Sequence, residues 1–87
     1  MRFRSVPSEI EAVQWLGNNP VEVASFAPEH VVYEDGELSI LAGKDGAQGV
    51  VPVPVGHWVV RAADDMSDHW PVEADYFWRK YELAVAP

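Results

Sequence analysis

His30-Val31-Val32-Tyr33-Glu34-Asp35-Gly36-Glu37-Leu38-Ser39-Ile40-Leu41 carries the strongest local signal in the chain. Two apolar runs flank Asp35-Gly36, a dipeptide that tolerates the positive φ values of a type I′ turn, whose twist suits a two-residue hairpin. Counting outward sets Glu34 opposite Glu37, Tyr33 opposite Leu38 and Val31 opposite Ile40. Tyr33, Leu38, Val31 and Ile40 then share one face. The Glu34/Glu37 pairing is mildly unfavourable and belongs in water beside the turn. An antiparallel sheet is therefore the main element.

On the N-terminal side, Glu9 to Leu16 (EIEAVQWL) reads as a strand with Ile10, Ala12, Gln14 and Leu16 on one face and Val13 and Trp15 on the other. Apolar groups on both faces make it a central strand. Asn19-Pro20 then starts a helix, since an Asn side chain caps free amides and proline at the first helical position loses nothing. Its apolar stripe is Val23, Phe26 and Ala27, and Pro28 ends it. On the C-terminal side, Gly43-Lys44-Asp45-Gly46 turns the chain into Val50-Val51-Pro52-Val53-Pro54-Val55. Two alternate prolines mark an edge strand protected from further pairing. His57-Trp58-Val59-Val60-Arg61 is another strand, followed by an acidic loop and the short extended run Trp70-Pro71-Val72. Ala74, Phe77, Trp78 and Tyr81 give a closing amphipathic helix with Trp78 on its inner side. Asp75 and Arg79 fall at i, i+4 on its outer side.

The chain has 87 residues, no cysteine and a formal charge of -8, with 48% hydrophobic and 11% aromatic residues. That length supports one domain, residues 1–87, and the apolar content excludes a disordered acidic tail. A stability of roughly 4 to 13 kcal/mol leaves little room for a large cavity, so a ligand site belongs on the surface or between subunits. Without cysteine there is no disulfide or thiolate chemistry, and a reducing cytoplasm is expected. The N-terminus meets Pro7 and Glu9 where a signal peptide needs its apolar stretch. The longest apolar run, Val50 to Val55, is far short of the ~20 residues of a membrane span. The acidic balance argues against direct nucleic-acid binding, which relies on clustered Lys and Arg.

Ile10-Glu11-Ala12-Val13-Gln14-Trp15, Gly56-His57-Trp58-Val59-Val60-Arg61, Trp70-Pro71-Val72 and Asp75-Tyr76-Phe77 with Tyr81-Glu82 together resemble a family of small phage and prophage proteins. Its pattern is roughly a V-E-A-x-Q-W strand, a G-D-W-I-[IV]-[KR]-G segment and a closing G-E-x-Y-P-C-x-x-D-x-F-x-x-x-Y-E. Here His57 stands for the acid after the glycine, Ala62 for the glycine after Arg61, Ser67-Asp68 for Gly-Glu and Val72 for the cysteine. The family has no agreed activity. The resemblance implies phage provenance, and small phage genes often encode accessory proteins acting on host machinery or defence.

Asp64, Asp65, Asp68 and His69 are the densest group of hard ligands, yet they lack the alternating carboxylates, central glycine and terminal glutamate of a calcium loop. No metal and no cofactor is expected. His30, His57 and His69 have no accompanying nucleophile elbow, Gly43 to Gly46 lacks the spacing of a P-loop, and no catalytic residue is assigned. The aromatics say more. Either all of Trp15, Trp58, Trp70 and Trp78 are core, or Trp70 or Tyr76, flanked by Asp68, His69 and Glu73, is a partly exposed anchor rimmed with charge. Arg61 is an internal ion-pair partner or an anion contact, with structural pairing the stronger reading.

The expectation is thus a single α+β domain: a twisted antiparallel sheet of five or six strands, for which barrel-like closure is one form, and two short helices. Its candidate binding residues are Arg61, Asp64, Asp65, Asp68, His69, Trp70 and Tyr76. The leading function is non-enzymatic: a phage-encoded accessory protein, in the host cytoplasm, that binds a host protein. One alternative is a homo-oligomeric sponge holding a nucleotide-like defence signal, with Arg61 and aromatic stacking. The other is an acidic DNA mimic using the carboxylates from Asp64 to Asp75.

Overall fold

The computed structural model describes residues 2–5 and 8–83, with side chains described from Glu9 to Tyr81. Met1, Val6 and Pro7, which enter the reading of the N-terminus, lie outside the described residues. The elements are β1 (Arg2–Ser5), β2 (Ser8–Gln14), α1 (Pro20–Phe26), β3 (Val31–Glu34), β4 (Glu37–Lys44), β5 (Gly49–Pro52), β6 (Trp58–Ala62), β7 (Asp65–Val72), α2 (Ala74–Lys80) and β8 (Glu82–Leu83). The antiparallel strands run in the order β3-β4-β7-β6-β2-β1-β8, with β5 branching from β4. The six strands from β2 to β7 are the sheet the sequence predicts, and β1 and the two-residue β8 extend one edge. The ends of the path do not pair, so the sheet is not closed into a barrel. The α+β class and the two short helices are as expected.

The hairpin has the register obtained by counting: Glu34 faces Glu37, Tyr33 faces Leu38 and Val31 faces Ile40. Asp35 and Gly36 take φ values of 51° and 78°, the left-handed pair a type I′ turn requires. Leu38 and Ile40 are buried, and the Tyr33 ring meets Trp15 edge-on at 5.7 Å.

Alternation along β2 and β6 then builds two cores. On one face Ile10, Ala12, Trp58 and Val60 pack with Val72 beneath Phe77 and Tyr81. On the other, Trp15 and Val59 meet Val23 of α1, Leu38, Ile40 and Ala42 of β4, and Val53. Val59 and Val60 are both fully enclosed, which makes β6 the strand shared by the two cores. Each such valine contributes on the order of 2 kcal/mol by leaving water.

Three expectations need correction. Asn19 precedes the helix but makes no cap bond with its side chain. It accepts from the Leu16 amide (2.8 Å), donates to the Gln14 carbonyl (2.9 Å) and also donates to Glu22. The Trp15 backbone already bonds His57 and Gly56 on the β6 side, so Gln14 and Leu16 point to the opposite, open edge. Asn19 serves that edge as a neighbouring strand would, and Leu16, expected to share one face with Ile10 and Ala12, is exposed where they are buried.

The second correction concerns the acidic loop after Arg61, which is a strand. Ala63 and Asp64 form a two-residue turn between β6 and β7. Arg61 pairs with His69 but Ala62 pairs with Asp65, so Met66, Ser67 and Asp68 bulge away from β6. Asp68 pairs with Lys44 of β4, and the Ser67 carbonyl accepts from the Asp45 amide (2.8 Å). The segment lacks apolar alternation because it changes partners rather than lying in one ladder. Third, Trp78 is not an inward residue: it is 59% exposed, whereas Phe77 and Tyr81 are buried.

Candidate functional site

His69 and Trp70 are neighbours in β7, so they point to opposite faces of the sheet. That alternation divides the seven candidate residues. Arg61 and His69 face α1, Trp70 and Tyr76 lie on the α2 side, and the three aspartates sit at the β6–β7 turn and bulge.

Beneath α1 the sheet register places Glu11, Arg61, His69 and Gly43 in one row across β2, β6, β7 and β4. Arg61 donates from Nη2 to Glu11 Oε1 (2.9 Å) and from Nη1 to the Phe26 carbonyl, with its guanidinium 4.3 Å from the centre of the Phe26 ring. Its side chain is 11% exposed. This is the structural pairing that the sequence favours: Arg61 ties the end of α1 to the sheet. His69 is 1% exposed, lies 4.4 Å from the His30 ring and meets Phe26 edge-on. Neither of its ring nitrogens has a hydrogen-bond partner among the described residues. Burial, followed by the charges of His30 and Arg61, pushes its pKa down to about 4, so the ring is neutral near pH 7. His30 donates from Nδ1 to the Pro28 carbonyl (2.9 Å).

The aspartates do not converge on this cluster. Asp65 Oδ1 accepts from the Ser67 hydroxyl (2.6 Å) and the Ser67 amide (3.0 Å), and Lys44 Nζ stands 3.7 Å from Oδ2. The Ser67 bonds hold the Asp65 carboxyl below the usual range, against a smaller opposing effect of burial and with help from Lys44. Asp64 is exposed at the turn tip, while Glu73 and Asp75 stand at the other end of β7, roughly 20 Å along the strand. The acidic segment is therefore two separate groups rather than one array. Among the described residues no three histidine, aspartate or glutamate side chains gather as a metal site.

The α2 side is different in kind. Glu73 accepts from the Asp75 amide (3.3 Å) and starts the helix, which Tyr81 ends. Phe77 stacks on Trp58 with ring centres 4.0 Å apart and planes 5° from parallel. Trp78 lies edge-on to both, at 5.3 Å from Phe77 and 5.4 Å from Trp58, with much of its ring in water. On the other flank Tyr76 is 47% exposed. A groove of about 320 Å³ runs there, lined by Trp70, Pro71, Val72, Glu73, Tyr76, Lys80 and Tyr81. Trp70 is half-buried and packs on the core beneath, so it is a wall of the groove rather than a protruding anchor. The Lys80 ammonium lies 5.5 Å from the centres of both the Tyr76 and the Tyr81 ring.

The geometry thus joins Trp70 with Tyr76 and separates both from Arg61, His69 and the three aspartates. Trp78, Glu73, Lys80 and Tyr81 complete the surface and were absent from the sequence-derived set. For Trp78 and Lys80 the signal was the helical wheel: at about 100° per residue, Trp78 falls to one side of the Ala74–Phe77–Tyr81 stripe, and Tyr76 and Lys80 fall to the other, whereas Glu73, which precedes the helix, and Tyr81, which lies on the stripe, carry no such signal. No protein-family model, no curated protein and no solved structure matches the chain. Among the described residues no helix is long and apolar enough to cross a membrane.

Proposed function

We propose that the chain is a non-enzymatic accessory protein that binds a host protein through the aromatic face of α2. The observation that carries this reading is Trp78, 59% exposed on a rigid stack of Trp58 and Phe77. A tryptophan held in place by packed rings gives large contact area at little cost in side-chain entropy, and such residues dominate binding energy at interfaces. Tyr76 and the groove beside it stand on the opposite flank of the helix, with Asp75 and Arg79 as the charged outer side between the two aromatics and Lys80 beside Tyr76. Two polar candidates outside this face are engaged in the fold: Arg61 with Glu11 and Phe26, Asp65 with Ser67 and Lys44. Phage origin and a cytoplasmic site of action rest on the resemblance of the Ile10–Trp15, Gly56–Arg61 and Trp70–Glu82 segments to small phage proteins.

Affinity capture from bacterial lysate, run in parallel with Trp78→Ala, tests the proposal. The reading expects a specific protein retained by the wild type and lost by the variant. A nucleotide released from the deproteinised sample, with no protein captured, selects the sponge instead. Salt-sensitive capture of a DNA-binding enzyme, lost when Asp64, Asp65 and Asp68 become Asn, selects the mimic.

A further inference from the structure

We infer that the outer edge of β3 is a homodimer contact, at which two copies of the chain pair antiparallel about a two-fold axis through Val32 and join their sheets. β3 ends the strand order and pairs with β4 alone. The His30 carbonyl accepts from the Leu41 amide on the β4 side, so by alternation Val32 and Glu34 turn their backbone groups to β4, and Val31 and Tyr33 turn theirs outward. Those outward groups have no hydrogen-bond partner among the described residues. Two other open edges are guarded. Val51 pairs with Ile40 and the Val53 amide bonds the Leu38 carbonyl, so Pro52 and Pro54 present their missing N–H groups to the free side of β5. Asn19 closes the free end of β2. β3 has neither a proline nor a bulge, and Val32 and Tyr33 are both exposed, so its edge is open to an added strand.

A second copy fits because the edge is complementary to itself, as a two-fold contact requires. With the axis at Val32, each Val31 meets the Tyr33 of the other copy, and both outward residues of both strands are paired. Moving the axis to Val31 or Tyr33 pairs only one of them. The Val32 register also sets valine against valine where side chains approach closely, and places Glu34 across from His30 rather than from a carboxylate. The next positions outward, Glu29 and Asp35, have φ of 66° and 51°, where the backbone leaves the strand. An extended segment of another protein would satisfy the same backbone groups, but the match of Val31 to Tyr33 and of Glu34 to His30 is a property of this sequence against itself. The charge of -8 on each copy opposes the pairing, so the dimer is weak at low salt and tightens as salt screens the repulsion.

The chain has no cysteine, so single cysteines report the contact directly. Across a non-hydrogen-bonded antiparallel pair the Cα atoms lie about 4.5 Å apart, within disulfide range. Val32→Cys is therefore expected to form a disulfide-linked dimer about tenfold faster than Val50→Cys, although Val50 on the guarded edge is more exposed, at 60% against 37%. Sedimentation of the wild type is expected to give a Kd on the order of 100 μM, as suits a contact below the ~1,200 Å² of standard interfaces. That Kd should tighten about threefold between about 50 mM and about 500 mM salt. Val32→Lys, which sets two like charges across the axis, is expected to weaken the dimer about tenfold, and Val50→Lys, the same charge change elsewhere, is not. A wild type that stays monomeric at about 1 mM in high salt overturns the proposal, as do equal cross-linking of the two cysteine variants or a dimer that Val32→Lys leaves intact. A chain that stays monomeric while β3 holds an extended segment of another protein overturns it as well. None of these outcomes bears on binding through Trp78.

Discussion

Arg61 and His69 share a buried row yet fail in different ways when altered. Arg61 bonds Glu11 and the Phe26 carbonyl together, so Arg61→Ala removes a shared donor from a half-buried carboxylate and from a helix end and leaves the space of a buried side chain. The expected loss is about 3 kcal/mol in urea unfolding, and Arg61→Lys should recover little of it, because a single ammonium cannot replace the planar fork. His69 makes stability depend on pH. The unfolded ring takes its proton near 6.5 and the folded one only near 4, so between these values the unfolded chain binds more protons. Stability therefore falls as pH drops from about 6.5 to 4, by roughly 3 kcal/mol if the whole difference is realised. His69→Phe, which keeps a ring and cannot titrate, should flatten the dependence in that window when unfolding is followed at several pH values. A wild-type curve equally flat would show that the ring is protonated in the folded state.

Among the elements, the β3–β4 hairpin was legible to the residue because the Asp35-Gly36 turn sets the register and apolar alternation agrees with it. The β6–β7 hairpin was not legible. Its bulge exists because β7 leaves β6 for the end of β4, a choice made by tertiary pairing that the string Asp64 to Asp68 does not encode locally. Asn19 is intermediate: the sequence marked the helix start correctly, but the amide's job of closing the β2 edge depends on where Gln14 and Leu16 lie in the sheet. Asn19→Ala should cost about 1 to 3 kcal/mol. Asn19→Ser, an equally good helix cap, should not restore it, since a hydroxyl cannot bridge both backbone groups; full rescue by Ser would return the residue to a capping role. Both Gly36 and Gly43 have positive φ, but only at Gly43 would an added Cβ come within 2.8 Å of the Gln48 side chain and 3.2 Å of its backbone nitrogen. Gly43→Ala should therefore lower the melting temperature more than Gly36→Ala, whose cost of about 1 to 2 kcal/mol is that of the backbone alone.

At the scale of the whole molecule, the sheet's two faces have different uses. The α1 face encloses its polar row, and the α2 face leaves Tyr76 and Trp78 in water around a packed aromatic stack. Half of this division was readable: Trp70 and Tyr76 stood out as aromatics beside charge, but period-two alternation within β7 sends His69 to the other face, and the acids separate with strand length. Trp78 was misplaced because a seven-residue helix buries only a narrow stripe, here Phe77 and Tyr81, and a ring at its flank stays half in solvent. The most direct measurement combines melting temperature with capture from bacterial lysate for the Tyr76→Ala/Trp78→Ala double variant. The exposed-surface account predicts a melting temperature within a few degrees of wild type, against a loss of about 3 to 5 kcal/mol for Phe77→Ala, together with disappearance of the captured partner. A stable double variant that still captures the same partner would contradict it.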